Sequence, residues 1–451
     1  MSFSLPYSRR RRYLTGIDWS IGTLDHMTRR ATGIGNLSQV VLELQGRLPP
    51  DRLRQTLDRL SSRFPFLHGR VARDFVNLAP YWKIPSSSAG HGIPLTITQL
   101  PAGADDSADD VFSQHVNTPL HGPAEHLRFL LIHLGDECTR LGMVFDHKLL
   151  DAFGAEAFLH LIHETWRGQL DAIAPRIGQT EPAHLDHWPR RFLGGQTVNR
   201  FRVRLSDREV AGLPMPARRH PRSVRFVHDG LTPQQADRFI RWADEECGVP
   251  LLLPSAIARA VLAMRPALAA ASPAGSQYLV AVSVDARALD RKWEDLFFNH
   301  LSFLGFTLPT DSTDPPASWT AALRDQFFDQ MKRGVPAAFQ DATMLTRICP
   351  QWLAARLAKL PFQGRVCSFY FACLRDTAFN QETFLDLPTT NLIHTPRVPP
   401  PPGLGFGMTF FRGRMNLVLS YLEGVLEDVS ARDALRRLKA LLLDPDQTTH
   451  P

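Results

Sequence analysis

The 451 residues are 44% hydrophobic and 21% charged, an ordinary soluble composition with length for two or three domains. The net charge of +6 rests almost wholly on arginine; it suits a phosphate-bearing cosubstrate or an acidic carrier protein, fits a GC-rich genome equally, and is too mild to demand nucleic acid, for which no binding signature exists. Five cysteines without a Cys-x-x-Cys read as a reduced, cytosolic pattern and exclude a disulfide or zinc framework.

Residues 1–12 read as a loose basic tail, with no apolar stretch behind Arg9 to Arg12 to make a signal peptide. A short helix is expected from Asp18 to Met27 and a strand from Val40 to Leu44. Gly33-Ile34-Gly35-Asn36 lacks the third glycine of a dinucleotide loop and reads as a turn. Asp51 is expected to cap an amphipathic helix through Leu53, Leu57 and Leu60. Pro65 breaks the chain before a strand near Val71, Ser86 to Gly92 is a loop, and Asp105 to Asp110 an acidic, solvated loop.

Two apolar runs follow, Leu127 to Leu134 and Leu141 to Phe145, with Gly135-Asp136-Glu137 between them, the pattern of a hairpin. Ala155, Phe158, Leu159, Ile162 and Trp166 then recur at helical spacing. So a buried strand ends at His147, a tight turn carries Asp151, and a helix leaves. A histidine held there beside a cleft suits a general base. Asp151 can fold back to fix either the backbone or the imidazole. The bare spacing is weak, since seventeen histidines give about one His-x-x-x-Asp by chance; His147 is the one histidine with aspartate at that offset. On the helix, Glu156, His160 and His163 share a face, but without a fourth ligand no metal site is expected.

From Gly168 to Gly230 prolines interrupt everything and arginines cluster (Arg190 to Arg225). This reads as a crossover linker with strands at Arg200 to Leu205 and Val224 to Val227, either a landing surface for phosphate or carrier protein or a solvated connection. Thr232-Pro233-Gln234-Gln235 starts a helix that stops at Gly248. The longest apolar region, Val249 to Ala271, holds Pro254, Arg259 and Arg265 and is not a membrane span; a mostly buried helix is expected within it from about Pro254 to Leu268. Strands are expected at Tyr278 to Val284, Leu301 to Leu308 and Arg365 to Leu374, helices at Trp319 to Lys332 and Leu345 to Leu360, an extended polyproline segment at Pro396 to Pro402, a hairpin about Gly413, and a last helix capped by Ser430. Cys367 and Cys373 sit in apolar sequence and are not expected to act as nucleophiles. The fold class is α/β in two halves of similar element order, each a mixed sheet with helices on one face. The expected division is 1–170, a linker at 171–230, and 231–451.

Asp146-His147-Lys148-Leu149-Leu150-Asp151-Ala152 resembles the His-His-x-x-x-Asp-Gly motif of the condensation-domain and chloramphenicol-acetyltransferase-like acyltransferases. The first histidine is replaced by Asp146 and the glycine by Ala152; Asp-His-Lys/Arg-x-x-Asp is similar to the dihydrolipoyl acyltransferase version. Leu60 to Leu67 resembles the family's early Arg-x-x-x-Leu signature, Val284-Asp285-Ala286-Arg287 the segment with the family arginine whose guanidinium pairs with the motif aspartate, and Asn299-His300-Leu301-Ser302 with Leu308-Pro309 its Asn-x-x-Ser…Leu-Pro segment, with Phe298 in place of the usual glycine. The plant-type Asp-Phe-Gly-Trp-Gly motif is missing, and Gly403 to Gly407 is only an echo.

The resemblance implies two chloramphenicol-acetyltransferase-like subdomains arranged in a V, with the active site at their interface. It implies acyl transfer from a thioester, acyl-CoA or a phosphopantetheinyl carrier, to a hydroxyl or amine, in natural-product or lipid biosynthesis. No other cofactor and no metal are expected, and the chain is expected to be a cytoplasmic monomer without a transmembrane segment. His147 would be the base, and Asp151, paired with Arg287, would lock its turn. Asn299 and Ser302 are the candidates for holding the oxyanion. Asp146 would either orient His147 or hydrogen-bond the backbone of its own turn. A rival reading is a catalytically silent docking module of a carrier-protein assembly line.

Overall fold

The structure is a computed structural model that describes residues 11–87, 92–178, 188–216, 222–288, 293–375 and 377–444. Among these residues the strands form two six-stranded sheets and one three-stranded sheet. The first large sheet runs, in spatial order, Thr383–Phe384, Leu387–Thr395, Leu37–Gln45, Cys138–Asp146, Leu127–Leu134 and Leu95–Leu100. Only its Leu95–Leu100 edge is parallel to its neighbour. The second runs Leu301–Pro309, Gln277–Asp285, Phe369–Leu374, Leu404–Phe411, Arg414–Leu422 and Val224–Leu231, with parallel pairs on both sides of Phe369–Leu374. Both sheets are mixed, as the element order implied.

Helices follow from capped, amphipathic segments. Thr15 and Asp18 form a reciprocal capping box on Gly16–Thr32, and Thr232 and Gln235 do the same on Pro233–Cys247. Leu252–Ala269 is long and apolar enough to cross a membrane, but two-thirds of it is buried within the protein. Its Arg259 is buried and paired with Glu246 at 2.9 Å. The helix packs between Pro316–Lys332 and the last helix, Asp428–Leu443, as the filling of the second core.

Several expected elements differ. Arg11–Tyr13 is a strand of the small sheet rather than tail. Asp105–Val116 is a helix, because Ala108, Phe112 and Val116 repeat every fourth residue and bury one face. Arg200 to Leu205 is the end of a helix, Trp188–Leu205, not a strand. The expected helix over 345–360 is two, Val335–Thr346 and Gln351–Lys359, with Pro350 between them. Asp51 and Ser430 lie inside their helices, whose N-caps are Pro49 and Glu427. Pro396 to Pro402 ends in a turn instead of staying extended.

The division at residue 230 does not separate the two sheets. Leu387–Thr395 leaves the second half and pairs along Leu37–Gln45. Phe297, Phe298, Phe379 and Phe384 likewise fill the first core. The segment given as a linker holds a helix and a strand of the second sheet. The two lobes are therefore interlocked by chain exchanged from the second half into the first, and His147 sits where they meet.

Candidate active site

The strand Cys138–Asp146 is the fourth of six in the first sheet, flanked by strands on both sides. Its last residues are almost wholly buried, so the turn that follows leaves from a rigid base. The turn is closed by the Leu149 N–H donating to the Asp146 carbonyl at 2.8 Å, and by the His147 N–H donating to Asn36 O at 3.1 Å. Asp151 then starts the helix Ala152–Trp166, its Oδ1 accepting the Gly154 N–H at 2.8 Å. Ala152 is the first helical residue, where alanine fits as well as glycine. Gly154 is the position that needs glycine: a Cβ there would lie 2.4 Å from the Leu296 carbonyl oxygen.

The second half docks against this turn. The Phe298 N–H donates to Leu149 O at 2.6 Å. Arg287 NH2 reaches both oxygens of Asp151, at 2.8 and 2.9 Å, and both side chains are buried. Asp151 also accepts the His300 N–H at 3.0 Å. Arg287 Nε donates to Asp295 O and its NH1 to Asp285. Burial alone would raise the Asp151 carboxyl; the Arg287 guanidinium outweighs it and holds Asp151 below the usual carboxylate range. Burial and the same guanidinium push His300 down.

His147 is half-buried, with its Nδ1 3.2 Å from Asn299 Oδ1. Asn299 Nδ2 donates to the His147 carbonyl at 2.9 Å and faces Asp18 Oδ1 at 3.5 Å. Both of those partners only accept, so the amide must turn its oxygen to the imidazole. His147 Nδ1 must then carry the proton, which leaves Nε2 with its lone pair. Asp18, buried on the first turn of Gly16–Thr32, fixes Asn299 further by accepting its backbone N–H at 3.0 Å. Asp18 carried no sequence signal of this role beyond its place in the capping box; 281 residues separate it from Asn299.

The two oxyanion candidates are committed elsewhere. Ser302 is fully buried and its Oγ donates to Pro336 O at 2.7 Å. Asn299 uses its amide hydrogens on His147 O and Asp18, so its place is behind the imidazole rather than in front of a thioester. Asp146 does not touch the His147 ring. Its Oδ1 accepts the Lys148 N–H of its own turn at 3.0 Å, and its Oδ2 meets His126 Nδ1 at 3.0 Å and Lys148 Nζ at 3.3 Å. Lys148 reaches on to Asp25, whose other oxygen accepts the Asn36 N–H. Burial opposes the Asp146 charge, but Lys148 and His126 hold its carboxyl far below the usual range. Asp146 thus anchors the turn through a buried ion cluster where a second histidine would stand.

Phe298 has φ of +72°, the left-handed region that favours glycine. The backbone is therefore the one a glycine would adopt, and Phe298 is held in it by burial against Trp82 and Phe66. The helix-face trio does not converge: Glu156 pairs with His394 at 2.7 Å, and His163 Nδ1 accepts the Leu385 N–H at 3.1 Å. Burial pushes the Cys373 thiol up to about 12. Many described arginines of the crossover are paired within the chain, among them Arg190 with Asp341, Arg204 with Asp329 and Arg225 with Asp428; Arg218 and Arg219 lie outside the described residues.

No family model matches the sequence, and no curated protein matches it. Solved structures do match in three dimensions. The condensation domain of the monacolin K polyketide synthase superposes at a TM-score of 0.64 and 13% identity, covering 96% of this chain and 98% of that one. The first condensation domain of the calcium-dependent antibiotic (CDA) synthetase gives 0.64 and 18%, over 97% and 98%. A trichothecene 15-O-acetyltransferase from Fusarium sporotrichioides gives 0.66 and 13%, over 96% and 95%. A cyclization-docking bidomain from Sorangium cellulosum gives 0.61 and 15%, over 98% and 87%. The chain thus has the two-lobed α/β fold of these condensation domains and of this acetyltransferase. That fold carries condensation, acetyl transfer and cyclization in proteins of those names, so the reaction must be argued from the site.

Proposed function

We propose that this protein is an acyltransferase, joining an acyl group from a thioester to a hydroxyl or amine. The observation that carries the reading is His147 at the seam of the lobes, with Nδ1–H held by Asn299 and Nε2 left to accept a proton. His147 Nε2 takes the acceptor's proton as the acceptor oxygen or nitrogen attacks the thioester carbon. The tetrahedral adduct collapses with cleavage of the C–S bond, and His147 returns the proton to the departing thiolate. The acceptor is itself the nucleophile, so no acyl-enzyme forms. Asp18 and Asn299 act through the ring as positioning residues, and the Asp151–Arg287 pair holds the turn beneath it. The thioester would be acyl-CoA or a carrier-bound phosphopantetheinyl group, in natural-product or lipid assembly. Incubation with both kinds of donor, and with alcohol and amine acceptors, tests the reading. Thiol release that requires the acceptor supports it; no release with any donor would favour the silent docking module.

A further inference from the structure

A cavity of about 320 Å³ lies between the helix Gly16–Thr32, the helix Trp188–Leu205 and one face of the second sheet. That volume falls within the range of small-molecule sites, about 300–1,000 Å³. The strand Gln277–Asp285 builds one wall by alternation: Leu279 and Ala281 face the cavity, while Tyr278, Val280 and Val282 face the core behind. Phe303 and Gly305 continue that wall, and Gly305 lets Leu205 approach to where a Cβ would stand, 2.6 Å from Leu205 Cδ1.

Most polar groups on the lining are turned to backbone, whereas Tyr370 lines it with its hydroxyl buried and unpartnered. Ser20 and Thr23 donate to Gly16 O and Trp19 O on their own helix, Trp19 Nε1 to Cys349 O, and Arg202 to the carbonyls of Leu357 and Ala358. The wall therefore presents mostly carbon, with the Tyr370 hydroxyl as a polar exception. One side of it opens outward. Leu357 lines the cavity yet is 45% exposed, and on the same short helix and just past it Trp352 and Leu360 are exposed too. Two of its walls are continuous in sequence with residues that hold His147. Trp19 follows Asp18, and the strand that carries Phe303 begins two residues after Asn299. An apolar lining with one mouth in solvent suits a chain more than a compact head group.

We propose that this cavity receives an extended aliphatic chain carried by one of the two substrates. The proposal rests on the acyl-transfer reading of His147. Straight-chain carboxylates from butanoate to palmitate, below their critical micelle concentrations, are titrated into the full chain by calorimetry. Affinity should rise about fourfold per added methylene until the cavity is full. Ala281→Phe and Ala342→Phe place bulk on two different walls. Each should weaken the longest chains at least tenfold and leave butanoate unchanged, with thermal melts reporting whether the fold is kept. His147→Ala should bind the series as the wild type does. A flat length series, or filled variants that bind palmitate as tightly as the wild type, would overturn the cavity's role. Length-dependent binding with no thiol release would keep the cavity and sink the acyl-transfer reading. Thiol release indifferent to chain length would do the reverse.

Discussion

Replacing Arg287 by methionine should destabilise the protein by about 3–5 kcal/mol, because it strips a buried charge of its partner. The Asp151 carboxylate is 2% exposed and would keep only the Gly154 and His300 N–H groups. The Asp295 carbonyl would lose its donor as well. Asp151→Asn should cost less, about 2 kcal/mol, since Arg287 retains Asp285 and the amide oxygen can still cap the helix. The double variant should be more stable than the two losses added, by about 1.5 kcal/mol or more. The sign with pH is fixed by the native pair. Asp151 is lowered in the folded state, so its contribution is present above about pH 4, the unfolded carboxyl value, and fades as pH falls through the folded value. Without Arg287 the buried carboxyl rises, so the difference between wild type and variant should shrink from pH 7 to pH 4. Denaturant titrations followed by tryptophan fluorescence measure all of this. An Arg287→Met loss below about 1 kcal/mol, additive with Asp151→Asn, is what a surface ion pair gives, and would refute the reasoning.

Asn299→Ala should lower kcat about tenfold to hundredfold with little change in KM, because it frees the ring without touching substrate; equal effects on both constants would place Asn299 against the substrate instead. Phe298→Ala should cost about 3–5 kcal/mol through the cavity it leaves, and Phe298→Gly about 1 kcal/mol less, because glycine relieves the positive φ. Equal losses in thermal melts would mean that the conformation is unstrained. Burial and the Arg128 guanidinium push His115 down to about 3. A lowered histidine stabilises above its unfolded value near 6.5 and withdraws that support as pH falls toward the folded one, so His115→Gln should flatten the acid limb of the stability curve between about pH 6 and 3. An unchanged limb would exclude His115 as a source of acid sensitivity.

Much of the site was legible as spacing. The hairpin, the histidine at its end and the aspartate that caps the next helix are local features, and each follows from alternation, a turn and an N-cap. The resemblance brought Arg287 and Asn299 to the same turn across more than 130 residues. What side chains do once there was less legible. The family resemblance suggests that Asn299 faces substrate, but its orientation is set by Asp18, a contact that no periodicity encodes. Ser302 alternates on a strand, and the face it takes depends on the helix that begins at Val335. Leu387–Thr395 passed unread because Pro388, Thr389, Thr390 and Asn391 break an apolar pattern that only its pairing partner completes. Arg200 to Leu205 alternates like a strand, yet Val198, Phe201 and the partly buried Leu205 fit the helical period that won. The acidic run at 105–110 hid the same period behind its charge.

In the proposed reaction His147 is the proton-transferring group, aimed from behind by Asn299. Acceptor-dependent thiol release, measured for the wild type and for His147→Ala with and without added imidazole, tests it most directly. The variant should lose about a hundredfold to ten-thousandfold in rate, with the fold intact and part of the rate restored by imidazole. A variant that releases thiol as fast as the wild type would contradict it.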